Sequence, residues 1–179
     1  MLEFFIKINI EDKKIRKLVC ATIFVWNLVI YSIPLNLFEH RIIEIPDEFL
    51  IGYAKIVYYS LGIFNLNADL VNNNIIVLDR IFSITPSCIG YKSSLGVFAI
   101  IMATPTRDIF NRLKWAIVLA ILAFIVNFFR VLSTIILFYF FRIDPHFMHN
   151  VLWAILSSAI VLLMWLWFVK KNKQKLLFT

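Results

Sequence analysis

Phe49-Leu50-Ile51-Gly52-Tyr53-Ala54-Lys55-Ile56-Val57-Tyr58-Tyr59-Ser60-Leu61-Gly62-Ile63-Phe64-Asn65-Leu66 is long enough to cross a bilayer, which takes about 20 predominantly apolar residues. Yet Gly52, Lys55, Tyr59 and Gly62 recur at helical spacing along one face and form a weak polar stripe. Whether this segment crosses or lies flat decides on which side of the membrane everything after it emerges.

Working outward, four other apolar runs stand clear. Residues 18–38 are opened by Lys13, Lys14, Arg16 and Lys17, and Pro34 should kink or end that run. Residues 88–104 end at Pro105. Residues 115–141 are interrupted by Asn127 and Arg130 and would reach about 40 Å, beyond a hydrocarbon core of about 30 Å. That run must tilt, protrude or break near Arg130. Residues 151–169 are closed by Lys170, Lys171, Lys173 and Lys175.

Charge then settles the ambiguous segment. Lys and Arg concentrate at the N-terminus, in the loop Arg107, Arg112 and Lys114, and at the C-terminus. The positive-inside rule puts all three in the cytoplasm, and five spans cannot do that. Four spans can, if residues 49–66 lie in the outer interface. The acidic loop of Glu39, Glu44, Asp47 and Glu48, with His40 and Arg41, then faces outward. So does the stretch around Asn72-Asn73-Asn74, a turn signal followed by the β-prone Ile75-Ile76-Val77-Leu78 and Arg80-Ile81-Phe82-Ser83-Ile84. The expected fold is an all-α polytopic membrane protein in a single integral-membrane domain, residues 1–179. It has four transmembrane helices (18–38, 88–104, 115–141, 151–169), an outer interfacial helix over 49–66 and a small extracytoplasmic hairpin.

Composition agrees. The 179 residues are 61% apolar, with 18 Phe against 4 Gly, and the mean hydropathy is +0.85. The net charge of +7 flanks apolar runs and reads as topology rather than as a nucleic-acid footprint. Two cysteines make no disulfide framework, and Cys20, inside an apolar run, reads as a packed thiol. Residues 1–17 are charged with no small-residue cleavage site after them, which reads as no removable leader.

Cys88 is placed differently. It lies in Thr85-Pro86-Ser87-Cys88-Ile89-Gly90-Tyr91-Lys92-Ser93-Ser94, with Thr85 as N-cap and Pro86 at the first helical position. Amide dipoles and Lys92 would favour its thiolate. In the four-span topology Cys88 and His149 each open a helix at the outer edge. Arg130 lies about 22 Å above Trp115, in the outer third of the core. Three polar groups from three helices therefore share one layer.

Arg130 is an ionisable residue inside a span, where such groups face a bundle interior or a wet cavity. It can stabilise an oxyanion or thiolate or clamp a carboxylate, and Asn127 one turn earlier could orient it. The weaker alternative is a snorkelling side chain at a helix end. His149 suits a general acid or base paired with a cysteine, or else an interfacial helix cap. His146 competes for the role, and His40 reads as solvated. Cys88, His146, His149 and Asp144 could instead hold zinc, although Arg130 in the same layer would repel a cation.

The ordered set Cys88 to Gly90 with Lys92-Ser93, then Asn127 to Arg130, then His149-Asn150 before a final span resembles the exosortase/archaeosortase family. The likeness covers roughly residues 49–153. The abundance of Ile, Asn and Lys and the compact length lean toward the archaeosortase branch. The resemblance implies a membrane cysteine transpeptidase that needs no cofactor. Such an enzyme cuts a C-terminal sorting signal (a motif, a transmembrane helix and a basic tail) from exported proteins and passes the new terminus to an acceptor, often a lipid. It also implies Cys88 as nucleophile, Arg130 as stabiliser and His149 as third residue, with Asn127, Gly90, Lys92 and His146 supporting, on the extracytoplasmic side of the cell membrane. Two departures stand out: Ile89 replaces a small hydroxyl residue, and the chain is short. In some members an Arg takes the third position. The reading from another class is a non-enzymatic membrane module that binds a partner transmembrane helix.

Overall fold

The computed structural model of the chain describes residues 13–40 and 42–173. Residues 1–12, on which most of the no-leader reading rests, lie outside it, as do Arg41 and Lys175 of the charged segments. Helix α1 (Lys13–Tyr31) continues into α2 (Ile33–Glu39). Pro34 sits in the first turn of α2, and the helix carries through it by Ser32 N–Leu28 O (2.9 Å) and Asn36 N–Ser32 O (3.1 Å) bonds. The proline therefore divides the run without ending it, and Lys14–Glu39 is one apolar stretch long enough to span.

Helix α3 (Asp47–Gly62) is the ambiguous segment. Leu50, Tyr53, Ala54, Val57 and Leu61 form its buried face, the i, i+3, i+4, i+7 pattern of an amphipathic helix. Lys55, Tyr59 and Gly62 of the polar stripe point away, exposed. Asp47 and Glu48 in the first turn suit the positive end of the helix dipole. By length and composition α3 is not among the described helices able to span.

The expected hairpin is a three-stranded antiparallel meander: β1 (Ala68–Val71), β2 (Asn74–Val77) and β3 (Arg80–Ser83), in that order. Ala68 pairs with Val77, and Asn74 with Ser83. Strands β2 and β3 fall where the β-prone runs lie; β1 is additional. Asn72 takes the left-handed conformation, φ 56°, at the first turn, as an asparagine tolerates.

Helix α4 (Pro86–Ile89) and helix α5 (Tyr91–Ala103) replace the single helix expected from residue 88. The break is Gly90, at φ 88°. Helix α5 has 13 residues, about 20 Å, short of the hydrocarbon core. Among the described residues three helices, not four, are long and apolar enough to cross: Lys14–Glu39, Ile109–Phe141 and Trp153–Lys171. The ends of α5 are nonetheless pinned at opposite ends of the bundle. Tyr91 packs at a tilt against Phe38, ring centroids 5.5 Å apart, and Lys92 pairs with Glu39 at 3.0 Å. At the far end the Thr104 carbonyl accepts from buried Arg112, and the Thr104 hydroxyl accepts from Trp165 Nε1 at 3.0 Å.

Helix α6 (Ile109–Phe141) is unbroken through Arg130. At 33 residues it runs about 50 Å, so of the three options for the over-long run the break near Arg130 is ruled out. Its last turns form a core with α3 and the sheet, where Leu132, Ile135 and Phe138 meet Val57, Ile75 and Val77. Arg142 Nη1 bonds Asp79 Oδ1 at 3.1 Å across the β2–β3 turn. A short turn α7 (Pro145–Phe147) and a π-helical turn Met148–Leu152 lead into α8 (Trp153–Lys171). At the basic end Lys171 Nζ sits 3.8 Å from the Trp115 ring centroid, a cation–π clasp.

Candidate active site

Cys88 is carried by the one-turn helix α4. Thr85 precedes it at φ −104°, ψ 166°, with Pro86 first in the helix, as the sequence suggests. The Thr85 hydroxyl is turned toward the site: its Oγ1 lies 3.3 Å from Cys88 Sγ and 2.9 Å from Ser87 Oγ. The thiol faces the Ser83 carbonyl at 3.9 Å. A single turn supplies fewer aligned amide dipoles than the long helix expected there. Lys92 is committed to Glu39, both side chains half exposed. The anticipated support of the thiolate by Lys92 is thus redirected into a clasp between α5 and α2.

Gly90 shows why the turn must break. Its φ of 88° is left-handed, and an added Cβ would stand 2.5 Å from Asn127 Cβ and Cγ. The residue preceding it, Ile89, is buried in the core under the sheet. Ile89 therefore fills an apolar space, which accounts for the absence of a hydroxyl residue at this position. Because Gly90 lets α6 approach, Asn127 Nδ2 donates to the Cys88 carbonyl. Gly90→Ala should lower stability by about 1–2 kcal/mol through the left-handed backbone alone. Displacement of Asn127 should add to that. A thermal melt of the purified variant checks this, and an unchanged Tm would contradict the close approach.

Asn127 is the hinge of the arrangement. Its Oδ1 accepts from Arg130 Nη1 at 3.3 Å, one turn along α6 as expected. Arg130 Nη2 lies 2.6 Å from His149 Nε2. A guanidinium can only donate, so Nε2 accepts and the ring proton resides on Nδ1. His149 reaches this position from the π-helical turn, a rare element that recurs at functional sites. The chain is thus linked from Cys88 through Asn127 and Arg130 to His149. The side chain of Asn150 lies outside the described residues.

Cys88, Arg130, His146 and His149 line one cavity of about 300 Å³, closed by Phe82, Ile84 and Pro145. All three residues proposed from sequence for the reaction share it. Asp144, considered as a metal ligand, caps α7 by accepting from Phe147 N at 3.3 Å. Among the described residues no three His, Cys, Asp or Glu side chains group closely enough to hold a metal ion.

Sequence reasoning missed two contributors, Thr85 as a thiol neighbour and Tyr53. Tyr53 reaches in from α3, 5% exposed, with its ring 6.1 Å from both Phe124 and Phe128 of α6 in edge-on contact. Burial pushes its hydroxyl up to about 12, while Asn127 and Arg130 pull downward and Cys88 pushes upward. It therefore stays a neutral hydroxyl at physiological pH. The available signal was a tyrosine on the apolar face of an amphipathic helix, since a buried tyrosine usually seeks a partner for its hydroxyl.

Comparison with known proteins gives a family match. The sequence model of the family described as transmembrane exosortase (Exosortase_EpsH) matches residues 17–166. No curated protein and no solved structure matches the chain.

Proposed function

The chain belongs to the transmembrane exosortase family, a multi-pass membrane family of cysteine transpeptidases, and from that premise we propose that it cleaves a C-terminal sorting signal by acyl transfer through Cys88. The observation that carries this is the shared cavity, which the thiol lines together with a guanidinium already bridged to an imidazole. The substrate is an exported protein ending in a short motif, an apolar helix and a basic tail. The acceptor is a lipid, and the site opens on the extracytoplasmic side.

The Cys88 sulfur attacks the scissile carbonyl, and the developing oxyanion takes hydrogen bonds from Arg130. That charge draws the Nη2 donor away from His149. The freed Nε2 takes the thiol proton and delivers it to the leaving amine as the C–N bond breaks. A thioester remains on Cys88. His149 then takes a proton from the acceptor nucleophile, which attacks the thioester and restores the thiol. A site at the membrane edge admits little water and so favours transfer over hydrolysis.

The test is a co-expressed exported reporter whose tail has those three parts. Adding hydroxylamine, which cleaves thioesters, should release the shortened reporter from the enzyme as a hydroxamate. A reporter that never becomes attached to Cys88 would sink the covalent route. The orientation is tested separately by labelling cysteines placed singly at Asn73 and at Asn111 in a chain without Cys20 and Cys88. Helix α5 counts as the fourth crossing in this scheme, so the two positions should react from opposite sides. Reaction of both from one side contradicts it.

A further inference from the structure

Tyr53 poses a problem of its own. Its hydroxyl is buried, and among the described residues it has no hydrogen-bond partner. Leaving such a group unpaired is costly. A phenylalanine would pack between Phe124 and Phe128 equally well without that cost. Native proteins keep few buried polar groups unpaired, and each calls for an explanation.

The surroundings supply one. Tyr53 and Cys88 belong to the same packed cluster, and α3 lies against both α4 and α6. The two phenylalanines that grip its ring bracket Asn127 in sequence. The hydroxyl lies beside the Asn127 amide, outside hydrogen-bond geometry in the resting protein. The Asn127 amide is the bridge between the Cys88 carbonyl and Arg130. Its bond to Arg130, at 3.3 Å, is long. Catalytic hydrogen bonds are often long in an empty site and tighten when substrate binds.

We propose that Tyr53 is a positioning residue of the acyl-transfer site: its hydroxyl engages the Asn127 amide as substrate binds, fixing the bridge that holds the Cys88 turn against Arg130. The amphipathic helix α3 thereby becomes part of the active site. A substrate helix arriving beside the groove between α3 and α6 would press on the residue that sets the reacting geometry. Tyr53 forms the wall of that groove with Gly52, Phe124 and Phe128.

This inference rests on the acyl-transfer reading above. Its test is Tyr53→Phe in the full chain, in membranes, with the reporter of the previous section. The rate of cleavage at saturating reporter should fall on the order of tenfold to a hundredfold, with little change in KM. The Tm should stay level or rise, because an unpaired buried hydroxyl is removed. In an Asn127→Ala background the same substitution should change the rate less than about twofold, because the route runs through the amide. Normal cleavage by Tyr53→Phe, or an equal loss with and without Asn127, overturns the inference. Normal cleavage by Cys88→Ala refutes the cysteine reading and this inference with it. An inactive Cys88→Ala beside a fully active Tyr53→Phe removes the inference alone.

Discussion

Cys88→Ala should leave the reporter uncleaved, while the amount of protein in the membrane stays at the wild-type level. The expected loss is on the order of 10⁴-fold or more, as when a covalent nucleophile is deleted elsewhere. The structure says why stability should not follow. The sulfur has long contacts, 3.3 Å to Thr85 Oγ1 and 3.9 Å to the Ser83 carbonyl. It sits at the margin of a packed cluster rather than within it. What holds the turn is the Cys88 backbone carbonyl, which accepts from Asn127 and survives the substitution. Cys20 is the control: 2% exposed inside α1, its replacement by alanine should leave cleavage intact. A non-enzymatic module that binds a partner helix predicts no chemical difference between the two variants. A metal site predicts sensitivity to chelators, whereas the cysteine route predicts none.

The residues of this site differ in how much of their role a linear reading can reach. Cys88, Arg130 and His149 are legible because each breaks a local rule: a thiol at a helix entrance, a charge within a span, a histidine before one. Helix α3 is legible because a 3.6-residue period survives in its polar stripe. Strand β1 is not, since Ala68 and Asp69 are poor strand formers and their pairing with β2 is decided by the cluster beneath it. Lys92 lies four residues from Cys88, yet its partner is Glu39, 53 residues away, because Gly90 turns α5 out of line with α4. The left-handed turn at Gly90 depends on the close approach of Asn127, a contact between segments 37 residues apart in number and invisible to any window. The burial of Tyr53 can be read from its helix face, but its neighbours on α6 cannot. Local rules and their breaches thus find the candidate reacting groups, and tertiary contact decides what positions them.

Arg130→Lys should lower the rate of cleavage by about 10²–10³-fold, the loss expected when one preorganised oxyanion donor is removed. Lysine keeps the charge, so a purely electrostatic role would tolerate the change. The structure assigns Arg130 more than charge. Nη1 is held by Asn127 at 3.3 Å and Nη2 by His149 at 2.6 Å, so the planar fork is anchored at two points. Its Nε, buried and without a partner among the described residues, remains an unused donor. An ammonium on a flexible stem has no such plane and cannot stay anchored on Asn127 while turning a donor from His149 to the oxyanion in a fixed direction. Because the loss falls on a step that develops charge, it should appear in kcat with KM little changed. Arg130→Met should be worse still, since it removes the charge and also strips the His149 ring of its donor. If Arg130→Lys cleaves the reporter within about threefold of wild type, a margin of less than 1 kcal/mol, the fork has no part in the transition state. The charge of Arg130 would then act only on the resting thiol.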